Sequence, residues 1–181
     1  MKRLAILSVA LLAALFATAA ESIDEALKPY RKMSGAQYVD FLQQKEYRKA
    51  VKALDGEMAD FHKSLKRFDM ITVKLGEPEL DRLSQELAGI EGLTCVYSSE
   101  DDDARKADNA QSGLFGAVPA LFSYLRGYAR ESGAFYTEFV YLVLVHPGEA
   151  AIVYVEGQLR KEHLKYAFPK VSMEPDVELV Q

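Results

Sequence analysis

The chain has one cysteine, no tryptophan and three histidines among its 181 residues, and no tract rich in glycine or proline. Each scarcity removes a class of protein. One cysteine cannot build a disulfide scaffold or a Cys-based zinc site, and the mixed composition is neither collagen-like nor low-complexity. A basic excess is missing as well: 22 Lys and Arg stand against 27 Asp and Glu, a net charge of -5. Proteins that neutralise nucleic-acid phosphates normally carry the opposite balance, so no nucleic-acid partner is expected. Beyond the first 20 residues there is no apolar run of the roughly 20 residues that a membrane-spanning helix needs.

Those first residues read as a secretory signal peptide. Lys2 and Arg3 form a short positive start, residues 4–16 are apolar apart from Ser8, and Ala17-Thr18-Ala19 suits a cleavage site near Ala19 or Ala20. The expected location is periplasmic or secreted. Cys95 lies far from the cleavage site, so the chain is not expected to be a lipoprotein, and no stable membrane anchor is expected after cleavage. Removing residues 1–20 takes away two basic groups and no acids, leaving 20 against 27, a net of -7. Cys95 sits in the apolar run Leu93-Thr94-Cys95-Val96-Tyr97 and is expected to be buried as a small hydrophobe.

What remains is enough for one core, organised as a helical N-terminal region over 21–66, an α+β core over 67–168 and a frayed tail over 169–181. Ile23, Leu27 and Tyr30 predict a first helix. Tyr47, Val51, Leu54, Met58, Phe61, Leu65 and Phe68 then alternate steps of four and three, predicting an amphipathic helix with lysines and acids on its other side. Asp55-Gly56 predicts a kink or a break in it. Residues 69–75 alternate as a half-buried strand. Pro78, Glu79, Leu80, Leu83 and Leu87 read as a capped helix before Gly89, and residues 93–97 as a second strand, which together can form a parallel βαβ unit.

Residues 98–113 read as a surface loop, and residues 114–130 predict a buried helix. Residues 138–145 and 150–155 flank His146-Pro147-Gly148-Glu149 and predict a hairpin, with Val145 opposite Ala150, Val143 opposite Ile152 and Tyr141 opposite Tyr154. A last helix is expected to carry Leu159, Leu164, Tyr166 and Phe168. The fold expected is α+β, a single domain with a mostly antiparallel sheet of about four strands, in a ferredoxin-like order, covered by helices.

Catalytic templates fail in turn. There is no Gly-rich phosphate loop, no nucleophile elbow and no Cys-x-x-Cys, and His62, His146 and His163 lie at no metal-ligand spacing. The acidic run Glu100-Asp101-Asp102-Asp103 misses the EF-hand pattern, because the sixth and twelfth positions from Asp101 are Lys106 and Ser112. No catalytic, cofactor-binding or metal-ligating residue is therefore assigned, and no cofactor is expected.

Four stretches carry a likeness. Phe68-Asp69-Met70-Ile71-Thr72-Val73, Glu91-Gly92-Leu93-Thr94-Cys95-Val96-Tyr97 with the acids after it, Glu138-Phe139-Val140-Tyr141-Leu142-Val143, and Val153-Tyr154-Val155-Glu156-Gly157-Gln158-Leu159 resemble a family of secreted bacterial proteins, domain of unknown function 4252. The resemblance covers about residues 57–168 and implies a compact α+β domain behind a signal peptide, with no activity and no site residues to carry over. The function expected is a non-enzymatic binding or interaction protein of the cell envelope, with a protein or an envelope component as partner and a homo-oligomer left open. Two alternatives stay open beside it: a small periplasmic hydrolase using carboxylates, and a lipid or small-molecule carrier beneath the helix of residues 114–130.

Overall fold

A computed structural model describes residues 20–99 and 124–160. Its elements in chain order are α1 (Ile23–Arg31), β1 (Gln37–Asp40), a 3-10 turn (Phe41–Gln43), α2 (Lys45–Lys52), α3 (Gly56–Ser64), β2 (Leu65–Val73), α4 (Glu77–Ala88), β3 (Leu93–Ser98), β4 (Leu125–Ser132), β5 (Phe135–His146) and β6 (Glu149–Arg160). One six-stranded sheet runs in the order β1-β2-β6-β5-β4-β3, and every neighbouring pair is antiparallel.

The α+β class holds, but the expected sheet of about four strands in a ferredoxin-like order does not. Strands β3 to β6 follow one another as antiparallel neighbours instead of forming split βαβ units, and β6 then pairs with β2. β2 and β3 do run in the same direction, yet β6, β5 and β4 lie between them. The βαβ crossover is therefore a bridge over the sheet. Helix α4, with 12 residues, is about 18 Å long, close to the roughly 19 Å of four interstrand gaps.

Local chemistry explains the elements that match expectation. Ser22 caps α1 by accepting from the Glu25 amide at 3.3 Å. Glu79 reaches back to the Gly76 amide at 3.0 Å at the start of α4, where Pro78 occupies the first turn. Gly56, at φ 56°, starts α3 after the expected break. Pro147-Gly148 turns the β5–β6 hairpin, with Gly148 at φ 80°.

The long helical stripe is corrected at its end. Leu65 and Phe68 belong to β2, because Phe68 pairs with Val155 and the chain there also alternates with a period of two. The region 21–66 also contributes β1 to the sheet. Residues 125–130, expected to be helical, form β4: Leu125, Gly127 and Ala129 face one side and Tyr128 the other. Residues 157–160, expected to open the last helix, continue β6. The remainder of both predicted helices, the loop of residues 100–113, the signal peptide and the tail lie outside the described residues.

The hairpin exists with a shifted register. Leu144 faces Ala150, Val143 faces Ala151, and Val140 faces Tyr154, because a bulge between Leu144 and His146 consumes one residue. One extra residue exchanges the cross-strand partners beyond it, until a second shift between Tyr136 and Glu138 restores the count at Tyr136 and Leu159.

Each sheet face carries a core. On one face α1 and α4 bring Leu27, Leu80, Leu83 and Leu87 onto Ile71, Leu142 and Ile152. On the other, Phe61 of α3 joins Phe68, Phe139, Tyr141 and Val155, with Tyr47 of α2 packed at the margin. Gly157 is where α3 and β2 meet β6: a Cβ there would stand 2.5 Å from the Ser64 carbonyl oxygen and 3.2 Å from Leu65 Cα. Both atoms are backbone and cannot step aside. Gly157→Ala is expected to cost about 1–3 kcal/mol, measured by urea unfolding, and an unchanged midpoint would refute this close approach.

Candidate functional site

The sheet register gathers charges that the sequence scatters. Arg67, Glu156, Glu138 and Arg130 form one row across β2, β6, β5 and β4. Asp69 and Tyr154 stand side by side in the next row, and α1 lies close enough to add Asp24 and Arg31. Asp24 joins Arg31 at 2.8 Å and Arg67 at 2.7 Å, and Arg67 Nε donates to Asp69 Oδ2 at 2.5 Å. Asp69 is 2% exposed and lies 3.9 Å from Arg31 Nη2. The Arg67 guanidinium lies 4.5 Å over the Tyr154 ring, and the Tyr154 hydroxyl donates to Glu138 at 2.7 Å. Arg130 completes the line by donating to Glu138 and to the Glu91 carbonyl.

The electrostatics follow from these pairs. The Arg67 hydrogen bond, opposed by partial burial, holds the Asp24 carboxyl below its ordinary range. Burial works against the Arg67 charge, but Asp24 and Asp69 outweigh it and raise its pKa. Burial, then the Glu138 hydrogen bond, keeps the Tyr154 hydroxyl protonated far above neutral pH. Asp24, Asp69 and Glu138 thus each accept from a guanidinium, and the band clamps α1 and four strands together.

A second polar cluster pins α4 to the sheet. Ser84, 3% exposed, accepts from Arg126 at 2.7 Å and shares a hydrogen bond with the Tyr128 hydroxyl. Arg126 also pairs with Asp81 at 3.0 Å, which accepts from Tyr124 at 3.2 Å. A serine beside a tyrosine and an arginine has the composition of a nucleophile site. Burial raises the Tyr128 pKa, so this hydroxyl stays protonated and cannot serve Ser84 as a base.

The residues weighed from sequence do not converge. His146 is exposed at the end of β5, and His163 and the acidic run Glu100–Asp103 lie outside the described residues. Cys95 is exposed, contrary to the expected buried thiol. β3 is an edge strand, and a register shift between Cys95 and Tyr97 puts Leu93 and Tyr97 inside and leaves Cys95 outside. Among the described residues, no group of three or more His, Cys, Asp and Glu could hold a metal ion.

His62 joins α3 to α2, with its Nδ1 2.6 Å from the Tyr47 hydroxyl. Burial lowers its pKa from the ordinary 6.5 and raises Tyr47 to about 12. The neutral ring is therefore the favoured folded form, and an unfolded chain binds the proton more readily. Stability should fall as the pH drops through about 6.5, with the loss complete below the folded pKa. Urea midpoints at pH 7.5 and 5.5 should move apart less in His62→Gln than in the parent; equal differences would contradict the assignment.

One feature remains uncompensated. Lys45, Arg48, Lys49 and Lys52 occupy positions i, i+3, i+4 and i+7 of α2, all exposed, while Tyr47 and Val51 turn toward the protein. Among the described residues none of the four pairs with a carboxylate. The pairs Lys45/Lys49 and Arg48/Lys52 repel at helical spacing by about 0.2–0.5 kcal/mol each. Residues 28–67 hold ten Lys and Arg against five Asp and Glu, a net of +5, leaving -10 for the rest of the chain. The apolar stripe drew the sequence reading to the inner side of this helix; the same spacing, applied to the cations, identifies the outer side.

No family model, curated protein or solved structure matches the chain.

Proposed function

We propose that this chain is an exported, non-enzymatic binding protein of the cell envelope, whose partner carries negative charge. The observation that carries the reading is the basic face of α2. The ion pairs of the fold join charges across elements, whereas these four cations lie together on one exposed surface and pair with no carboxylate among the described residues. Export rests on the signal-like start of the sequence, and the resemblance to domain of unknown function 4252 agrees with it. No helix among the described residues is long and apolar enough to cross a membrane.

The carrier alternative placed a helix over residues 114–130, of which residues 125–130 are strand β4 and residues 114–123 lie outside the described residues. The hydrolase alternative has in its favour that Glu138 and Glu156 face each other across β5 and β6, but Glu138 is engaged by Arg130 and Tyr154. Mixing the chain, from Ala20 onward, with a crude envelope fraction tests the binding reading. Salt-sensitive retention that is lost when Lys45, Arg48, Lys49 and Lys52 become glutamine is expected. Equal retention of both forms, or turnover in an esterase, glycosidase and peptidase screen, would overturn it.

A further inference from the structure

We infer that the basic face of α2 is a docking surface for an anionic phospholipid bilayer, held by charge alone and without insertion. This rests on the binding reading above and names the partner. The chemistry of the face selects a bilayer over a folded partner. Protein interfaces are anchored by large apolar or aromatic side chains at their centre. α2 has none to offer, since Tyr47 and Val51 point inward and the exposed large hydrophobics of the described residues are Met33, Tyr38 and Phe135. Three of the four cations are lysines, mobile point charges that impose no fixed bidentate geometry. Such charges suit a fluid array of headgroup phosphates better than one fixed carboxylate.

The acidic remainder of the chain does not forbid this. At physiological ionic strength charges are screened over about 8 Å, less than the roughly 10 Å width of a helix, so the bilayer senses mainly the face turned toward it. Each cation close to an anionic surface strengthens binding roughly fivefold. Because Tyr47, on the inner side of α2, packs against Phe68 with ring centroids 5.8 Å apart, α2 does not insert and the attachment is peripheral and reversible by salt.

The test is cosedimentation of the chain from Ala20 onward, which contains every described element, with protein-free vesicles. Equimolar phosphatidylglycerol and phosphatidylcholine vesicles should retain it at low salt and release it at high salt, and pure phosphatidylcholine vesicles should not. Lys45→Gln/Arg48→Gln/Lys49→Gln/Lys52→Gln should weaken retention by at least about 50-fold with an unchanged circular dichroism spectrum, glutamine being a good helix former. Lys28→Gln/Lys32→Gln/Lys74→Gln/Arg82→Gln, an equal change of charge at other exposed positions, should stay within about twofold of the parent. Equal retention by both vesicle types, or equal weakening in the two variants, would overturn the inference. Retention by the crude envelope fraction but not by protein-free vesicles would overturn the lipid as partner and leave the binding reading standing. Light scattering that shows self-association abolished by the α2 substitutions, with no vesicle binding, would instead assign the face to a second copy.

Discussion

Asp69→Ala is expected to destabilise the fold by about 2–4 kcal/mol, because it removes the buried carboxylate between two guanidiniums and leaves them only the more exposed Asp24 as a partner. Asp69 is 2% exposed, accepts from Arg67 Nε at 2.5 Å, and lies beside Arg31, whose Nε and Nη2 are buried with no hydrogen-bond partner. The carboxylate therefore balances two guanidiniums at the seam between α1 and β2. Removing both members of the closest pair should hurt less than removing the acid alone. Asp69→Leu/Arg67→Leu is expected to recover part of the loss, since replacing a buried ion pair with apolar groups can be close to neutral. Urea unfolding of the two variants measures this. A single-variant loss below about 1 kcal/mol would show that the band contributes little to holding α1, and a double variant worse than the single one would place the cost in packing.

Phe139→Ala is the other large effect, again about 3–5 kcal/mol, from the opposite face of the sheet. The ring is fully buried, 4.1 Å from Tyr141 and 5.9 Å from Tyr136 between centroids. It packs over Gly127, where an added Cβ would stand 3.1 Å from the Phe139 Cζ. The glycine on β4 and the phenylalanine on β5 form one complementary pair, so Gly127 has no side chain to fill the cavity left by alanine. For a chain of this size the loss corresponds to a fall in Tm of roughly 10–15 °C, readable by calorimetry. A fall of a few degrees would mean that the core closes over the site. Phe139→Leu, which keeps most of the volume, should lose far less.

These two residues show how unevenly the architecture was written in the sequence. Phe139 lies in a continuous apolar run that leads into a Pro-Gly turn, and its burial follows from that pattern alone. Asp69 also lies in an alternating strand, but its burial depends on Arg67 two residues away and on Arg31 and Asp24 about 40 residues upstream. No spacing rule connects those positions. Gly127 misled in a related way: within the segment 114–130 it reads as a weak point of a helix, whereas in the sheet it is the space that admits the Phe139 ring.

By itself the sequence determined what depends on a few neighbouring residues. α1 and α4 follow from caps and apolar spacing, the break before α3 from Gly56, the β5–β6 hairpin from Pro147-Gly148, and the basic face of α2 from cations three and four apart. Tertiary structure alone decided what depends on partners far along the chain. Residues 65–68, 125–130 and 157–160 carry patterns that suit helix or strand, and pairing with β6, β5 and β2 made them strands. Two register shifts set the hairpin partners, the position of β3 at the sheet edge exposed Cys95, and the register aligned Arg67, Glu156, Glu138 and Arg130 into one band. The physical reason is common to all of these. Hydrogen-bond ladders and buried ion pairs join residues that are distant in sequence, so their free energy does not enter any local pattern.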